Sequence, residues 1–211
     1  MRCILGVFYL SQSVYRRIQW EGLQVQYNNN VNNLQKNLRM LSALAFVPQQ
    51  DVAASFATLK NHCGQTELPI LNYFESTYVG VPRRGGRQRG MAPPMFPVAL
   101  WNCYDRVQAN IPRTTNNVEG WHNGFAGRFE ETYPNIWKFI DTLKKENGVQ
   151  HLNIAQFMAG RMPTKQRKTY RELNTRINTI VGDYANRQRI DYLRAISYNL
   201  KDVSHNGAPK K

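Results

Sequence analysis

The stretch Thr132-Tyr-Pro-Asn-Ile-Trp-Lys-Phe-Ile-Asp-Thr-Leu-Lys-Lys-Glu-Asn-Gly148 shows the period that governs most of the chain. Pro134 suits the first turn of a helix, where a backbone N–H has no intrahelical partner to lose. Ile136, Phe139, Ile140 and Leu143 then recur at spacings of three and four, so they share one face of a helix. Lys144 and Lys145 stand where a helix C-terminus favours cations, and Gly148 can end the element.

The same period recurs on both sides. Downstream of Pro163, Tyr170, Leu173, Ile177, Ile180 and Tyr184 form one stripe, and Lys165, Arg167, Lys168, Arg171 and Arg176 lie on the polar side. Upstream, Val14 and Ile18 share a face, as do Leu34, Leu38, Leu41 and Ala45, with Pro48 closing that helix. Val52, Phe56 and Leu59 follow, with Asp51 as N-cap. Leu71, Phe74 and Tyr78, then Leu100, Tyr104 and Val107, complete the series. Aromatics at such positions belong to a core rather than to a cofactor site. The expected fold class is therefore mainly α.

Two segments break the pattern. Cys3 to Leu10 is an uninterrupted apolar run, which reads as a short buried β-strand. With Met1-Arg2 before it and Ser11-Gln12-Ser13 after it, the run also imitates a short secretory signal. The chain carries no Asn-x-Ser/Thr site to accompany secretion. Between Gly80 and Pro97 the periodicity disappears among Pro82, Pro93, Pro94, Gly85, Gly86 and Gly90. That loop carries Arg83, Arg84, Arg87 and Arg89 without a neighbouring acid, and reads either as a solvated loop or as an arm that grips phosphates. The tail from Ser204 to Lys211 reads as disordered.

The 211 residues include 28 Lys and Arg against 14 acids, for a formal charge of +14, and 42% are hydrophobic. That balance points to a polyanionic partner, nucleic acid ahead of an acidic membrane, over a packed core. No apolar stretch approaches the ~20 residues of a membrane span. Cys3, Cys63 and Cys103 are odd in number and widely spaced, so neither a disulfide framework nor a zinc finger is indicated, although His62 and Cys63 are adjacent. A reduced intracellular setting fits these thiols.

One cluster carries chemistry: Pro112-Arg-Thr-Thr-Asn-Asn-Val-Glu-Gly-Trp-His122. Asn116 and Glu119 have the spacing of a capping box, which needs no function. Trp121 and His122 crowded beside Glu119 fall outside that explanation, though core packing is open to both. The block from Arg113 to His122 resembles the segment around the third catalytic acid of Mutator-like (MULE) DNA transposases. Further segments resemble the family in the same order: Leu10 to Arg16, Ala43 to Pro48, Tyr73 to Tyr78, Phe96-Pro97 with Trp101-Asn102, and Ile136 to Ile140. Together they run from about Gly6 to about Tyr184.

The resemblance implies an RNase H-like, cut-and-paste DNA transposase acting in the nucleus. In such enzymes two aspartates and a helix-borne glutamate hold two Mg²⁺ ions for in-line phosphoryl transfer. Glu119 matches that glutamate and is the candidate catalytic and metal-binding residue. The implied layout is a strand remnant of the core at 1–10, a helical insertion at 11–110 with its basic loop at about 80–97, core helices at 111–150, and a basic helical region with tail at 151–211. Both aspartates of the family lie upstream of the matched region. Asp51, Asp105 and Asp141 are poor substitutes, and Gly6 and Tyr9 stand where the family has its Cys-x-x-His. One carboxylate cannot hold two Mg²⁺ ions, so no metal is expected on this chain alone and no cleavage from it.

Two readings remain. One is a fragment or decayed copy of a transposase, inactive alone. The other is a non-catalytic, domesticated DNA-binding or protein-interaction module. DNA is the expected partner in both, with Arg83, Arg84, Arg87, Arg89, Lys165, Arg167, Lys168 and Arg171 as candidate contacts. No membrane or small-molecule substrate is expected, and self-association is left open.

Overall fold

A computed structural model describes residues 7–82, 91–111, 116–129, 131, 134–162 and 167–200; for residues 82, 91 and 116–119 it describes the backbone. The chain divides into two compact units, one built from Met1–Thr114 with Glu172–Lys211 and the other from Thr115–Arg171. This grouping differs from a division into consecutive segments, because the end of the chain returns to its beginning.

The first unit opens with α1 (Val7–Trp20) and α2 (Gln24–Asn28), followed by α3 (Leu34–Ala43), α4 (Val52–His62) and α5 (Leu68–Phe74). The expected strand at 3–10 is corrected over its described part, since Val7 to Leu10 form the first turn of α1. Val7, Leu10, Val14 and Ile18 are buried at helical spacing, while Phe8 and Tyr9 are exposed. The stripe that runs on to Ile18 outweighs the local apolar run. Residues 1–6 lie outside the described part, as does the tail from Ser204.

α3 is the hub of this unit. It packs against α1, α2 and most extensively against α11 (Arg189–Tyr198). Leu41 and every residue from Ala43 to Val47 are fully buried. A buried helix end leaves its last carbonyls without intrahelical donors, and water cannot serve them. Donors arrive from far along the chain. The Cys103 amide donates to Ala45 O at 2.8 Å, and the Asn102 side-chain amide donates to Val47 O at 2.7 Å. The Tyr192 hydroxyl of α11 donates to Phe46 O. Arg39 of α3 adds two bonds, to Ser197 O at 3.0 Å and Leu200 O at 2.5 Å.

After α5 the chain makes one wider turn, Glu75–Val79, closed by a Gly80 N–H to Glu75 O bond of 2.7 Å. It then enters a two-residue antiparallel ladder, β1 (Val81–Pro82) against β2 (Met91–Ala92). This is the one β-ladder among the described residues. Short helices α6 (Val98–Trp101) and α7 (Tyr104–Gln108) follow. Phe74, at the end of α5, lies within 5.0 Å of the Tyr78 ring, 5.8 Å of Phe56 and 6.1 Å of Trp101, centroid to centroid. Asp51 precedes α4 as expected, but its side chain makes no cap bond and instead accepts from the Tyr184 hydroxyl at 3.1 Å.

The second unit contains α8 (Asn116–Ala126) and α9 (Ile136–Met158). α10 (Lys168–Gly182) starts in it and passes into the first unit at Glu172, where Ile177 and Val181 are buried. The expected end of α9 at Gly148 is corrected: the helix runs through that glycine to Met158. Asn135, not Pro134, starts it, with its side-chain oxygen accepting from Lys138 N. An interior glycine costs only about 1 kcal/mol, which a long helix tolerates. Gly160, at φ +93°, makes the actual stop.

Phe74 is fully buried among three rings. Phe74→Ala should therefore lower unfolding stability by about 3–5 kcal/mol, read from urea denaturation; a loss under about 1 kcal/mol would place the ring outside the working core.

The Glu119 helix and the candidate DNA-binding surface

Glu119 is the fourth residue of α8, so Asn116 to His122 open a helix. Its side chain, and with it the capping box from Asn116, lies outside the described residues. Trp121 and His122, beside Glu119, are both exposed and make ring contacts. Trp121 stacks on Phe125 with ring centroids 5.2 Å apart and an interplanar angle of 6°, and His122 meets the Trp121 ring at 5.1 Å. Phe125 in turn contacts Phe129 and Phe139, which joins α8 to α9 through a small aromatic core.

The sequence reading missed Glu146. Its side chain is 4% exposed, and it sits on the Phe139–Leu143 stripe, one turn further along α9. An acid on an apolar stripe was the available signal. Its Oε1 accepts from the Trp121 indole at 3.0 Å and from the Gln150 amide at 2.7 Å, and its Oε2 faces the Arg128 guanidinium at 2.5 Å. A buried carboxylate costs several kcal/mol unless its charge is met in this way. The Gln150 hydrogen bond, then those of Trp121 and the charge of Arg128, hold its carboxyl below the usual range, against the upward pull of burial. Through Trp121, Glu146 ties the second turn of α8 to α9.

The other acids weighed from the sequence are dispersed. Asp51 is bound to Tyr184, Asp105 accepts weakly from Gln49 at 3.4 Å, and Asp141 is exposed on α9. Among the described residues no three His, Cys, Asp or Glu side chains come together as a metal set. The described acids do not come together as a two-metal centre. His62 is exposed beside Cys63, whose thiol is pushed up to about 12, chiefly by burial and then by Glu67.

Of the expected DNA contacts, Arg83, Arg84, Arg87, Arg89 and Lys165 lie outside the described residues. The first four fall in the sequence between β1 and β2, so the ladder supplies their two anchored ends. Gly80 permits this stem: at φ +100° its missing Cβ would lie 2.5 Å from Ala92 O. The Phe96 amide, donating to Thr77 O at 2.9 Å, ties the far side of the stem to the wide turn. Arg167, Lys168 and Arg171 are exposed together around the first turn of α10. Lys144 and Lys145, expected at a C-terminus, are exposed midway along α9.

No helix among the described residues is long and apolar enough to cross a membrane. Compared with protein-family models, curated proteins and solved structures, the chain matches none.

Two outcomes follow from this geometry. Because the Glu146 pKa is depressed in the folded state, its stabilisation is present above the ordinary value of 4.5 and fades as pH falls through the folded value. Glu146→Gln should therefore speed amide hydrogen exchange in α8 and α9 at neutral pH, with the gap from the unaltered chain closing below pH 4.5; a gap that widens in acid would contradict the ion pair. Gly80→Ala should cost on the order of 1–3 kcal/mol in backbone strain, read by thermal denaturation, and open the stem.

Proposed function

We propose that this chain is a DNA-handling, mainly helical part of a transposase of the Mutator-like type, a fragment or decayed copy that binds DNA without cutting it alone. The observation that carries this reading is the Arg113–His122 block. It places one acid, Glu119, in the opening turns of a helix that follows about a hundred residues of helical sequence. Such an acid would be the third carboxylate of an RNase H-like centre, acting in the nucleus with Mg²⁺. By itself it supplies too few oxygens for a two-metal site. The basic stretches give the chain a second capacity that needs no metal: phosphate binding by arginines carried on a short stem and by the start of α10. The alternative, a non-catalytic module retained for DNA binding, rests on the same cations and on the absence of a clustered acid set among the described residues.

The test uses the full chain with duplex DNA across a salt series. Affinity should fall linearly on logarithmic axes, with a slope of about 0.9 per phosphate contacted. Replacing Arg83, Arg84, Arg87 and Arg89 together with Ala should flatten that slope by up to about 0.9 for each lost contact. Plasmid nicking with Mg²⁺ should be absent from the chain and unchanged in Glu119→Gln. Affinity that ignores salt would remove DNA binding from both readings, and nicking lost on Glu119→Gln would show a complete active site.

A further inference from the structure

The end of α9 carries a surface that neither DNA binding nor the packing of the second unit uses. From Val149 to Gly160 the chain has no charged residue, and from Asn147 to Arg171 it has no acid. Ile154, Phe157 and Met158, spaced i, i+3 and i+4, share one face and are 55%, 50% and 85% exposed. Helix packing normally covers such a stripe. Gly160, in a left-handed conformation, ends the helix with Arg161 N donating to Gln156 O at 2.9 Å and Gly160 N to Phe157 O at 3.0 Å. This turn leaves a shallow hollow of about 390 Å³ lined by Phe157, Gly160, Arg161 and Met162. Met162 is 84% exposed. The Arg161 guanidinium at its rim bonds the neutral Gln156 amide, and among the described residues no acid is paired with it.

We propose that this hollow docks a peptide segment of another protein, one that inserts a large apolar side chain and sets an adjacent Asp or Glu against Arg161. Contiguous exposed apolar surface rimmed by polar groups marks interaction sites. Methionine is unbranched and polarizable and moulds itself to varied partners. Charge selects the occupant. Pairing with a second copy would bring together two chains that each carry +14. Nucleic acid would find one cation among the lining residues, since Arg167, Lys168 and Arg171 are not part of the lining, and one is too little for backbone binding. An acidic, apolar segment satisfies both the lining and the rim.

The probes are two fluorescein-labelled amphipathic peptides with the same leucine face, their charged positions all Glu in one and all Lys in the other. Anisotropy with the full chain at physiological salt should show the Glu peptide binding at least ~10-fold tighter. Phe157→Ser and Met162→Ser, both at exposed positions that folding tolerates, should each weaken it by ~5-fold or more. Arg161→Gln should bring the two peptides within ~3-fold of each other. Net charge alone would leave the Glu peptide bound as tightly to Phe157→Ser as to the unaltered chain, and that result overturns the proposal. So would equal binding of the two peptides, or sedimentation showing a dimer that Phe157→Ser dissociates, which would give the face to a second copy.

Discussion

The first unit depends on how the buried end of α3 finds hydrogen-bond donors. Ala45, Phe46 and Val47 leave the helix inside the core, where each carbonyl needs a protein partner. Cys103, Tyr192 and Asn102 supply those partners, from segments between 55 and 146 residues away. The hydrophobic stripes of α1, α4 and α11 bring apolar surface together without choosing a register. The carbonyls choose it, because each donor must arrive at one atom. Arg39, reaching two carbonyls near the end of α11, works in the same sense from the middle of the helix.

The second unit solves a comparable problem with charge. Glu146 is buried between α8 and α9, and only the convergence of an indole, an amide and a guanidinium makes that burial tolerable. Its network is local, drawn from residues 121 to 150. The two units therefore hold themselves together by different means: the first by long-range satisfaction of backbone groups, the second by one ion pair set in aromatic packing.

Much of this was legible in the chain. The stripes Leu34–Leu38–Leu41–Ala45 and Val52–Phe56–Leu59 are buried as the period demands, and Pro48 follows the end of α3. The failures share a cause: local signals were read where neighbours decide. The run from Cys3 looked like a strand, but Val7 and Leu10 join a stripe that continues to Ile18. Gly148 looked like a stop, yet nothing in the local backbone required one, and Gly160 has the positive φ that does. Asp51 looked like a cap, but Tyr184 competes for its carboxylate from 133 residues away. At the site, Glu119 could be singled out only through its motif, and Glu146 interrupts an apolar stripe in the sequence, though its burial shows only with its donors in place.

The return of α11 to α3 also sets an order on synthesis. The carbonyl of Phe46 leaves the ribosome long before Tyr192 exists to meet it. At about 5–20 residues per second, that wait lasts roughly 7–30 s. For that interval the face of α3 that α11 covers has no partner, and the whole second unit is made meanwhile. The newborn chain thus passes through a defined window that closes when α11 emerges, and a stop anywhere before it would leave that face of α3 uncovered.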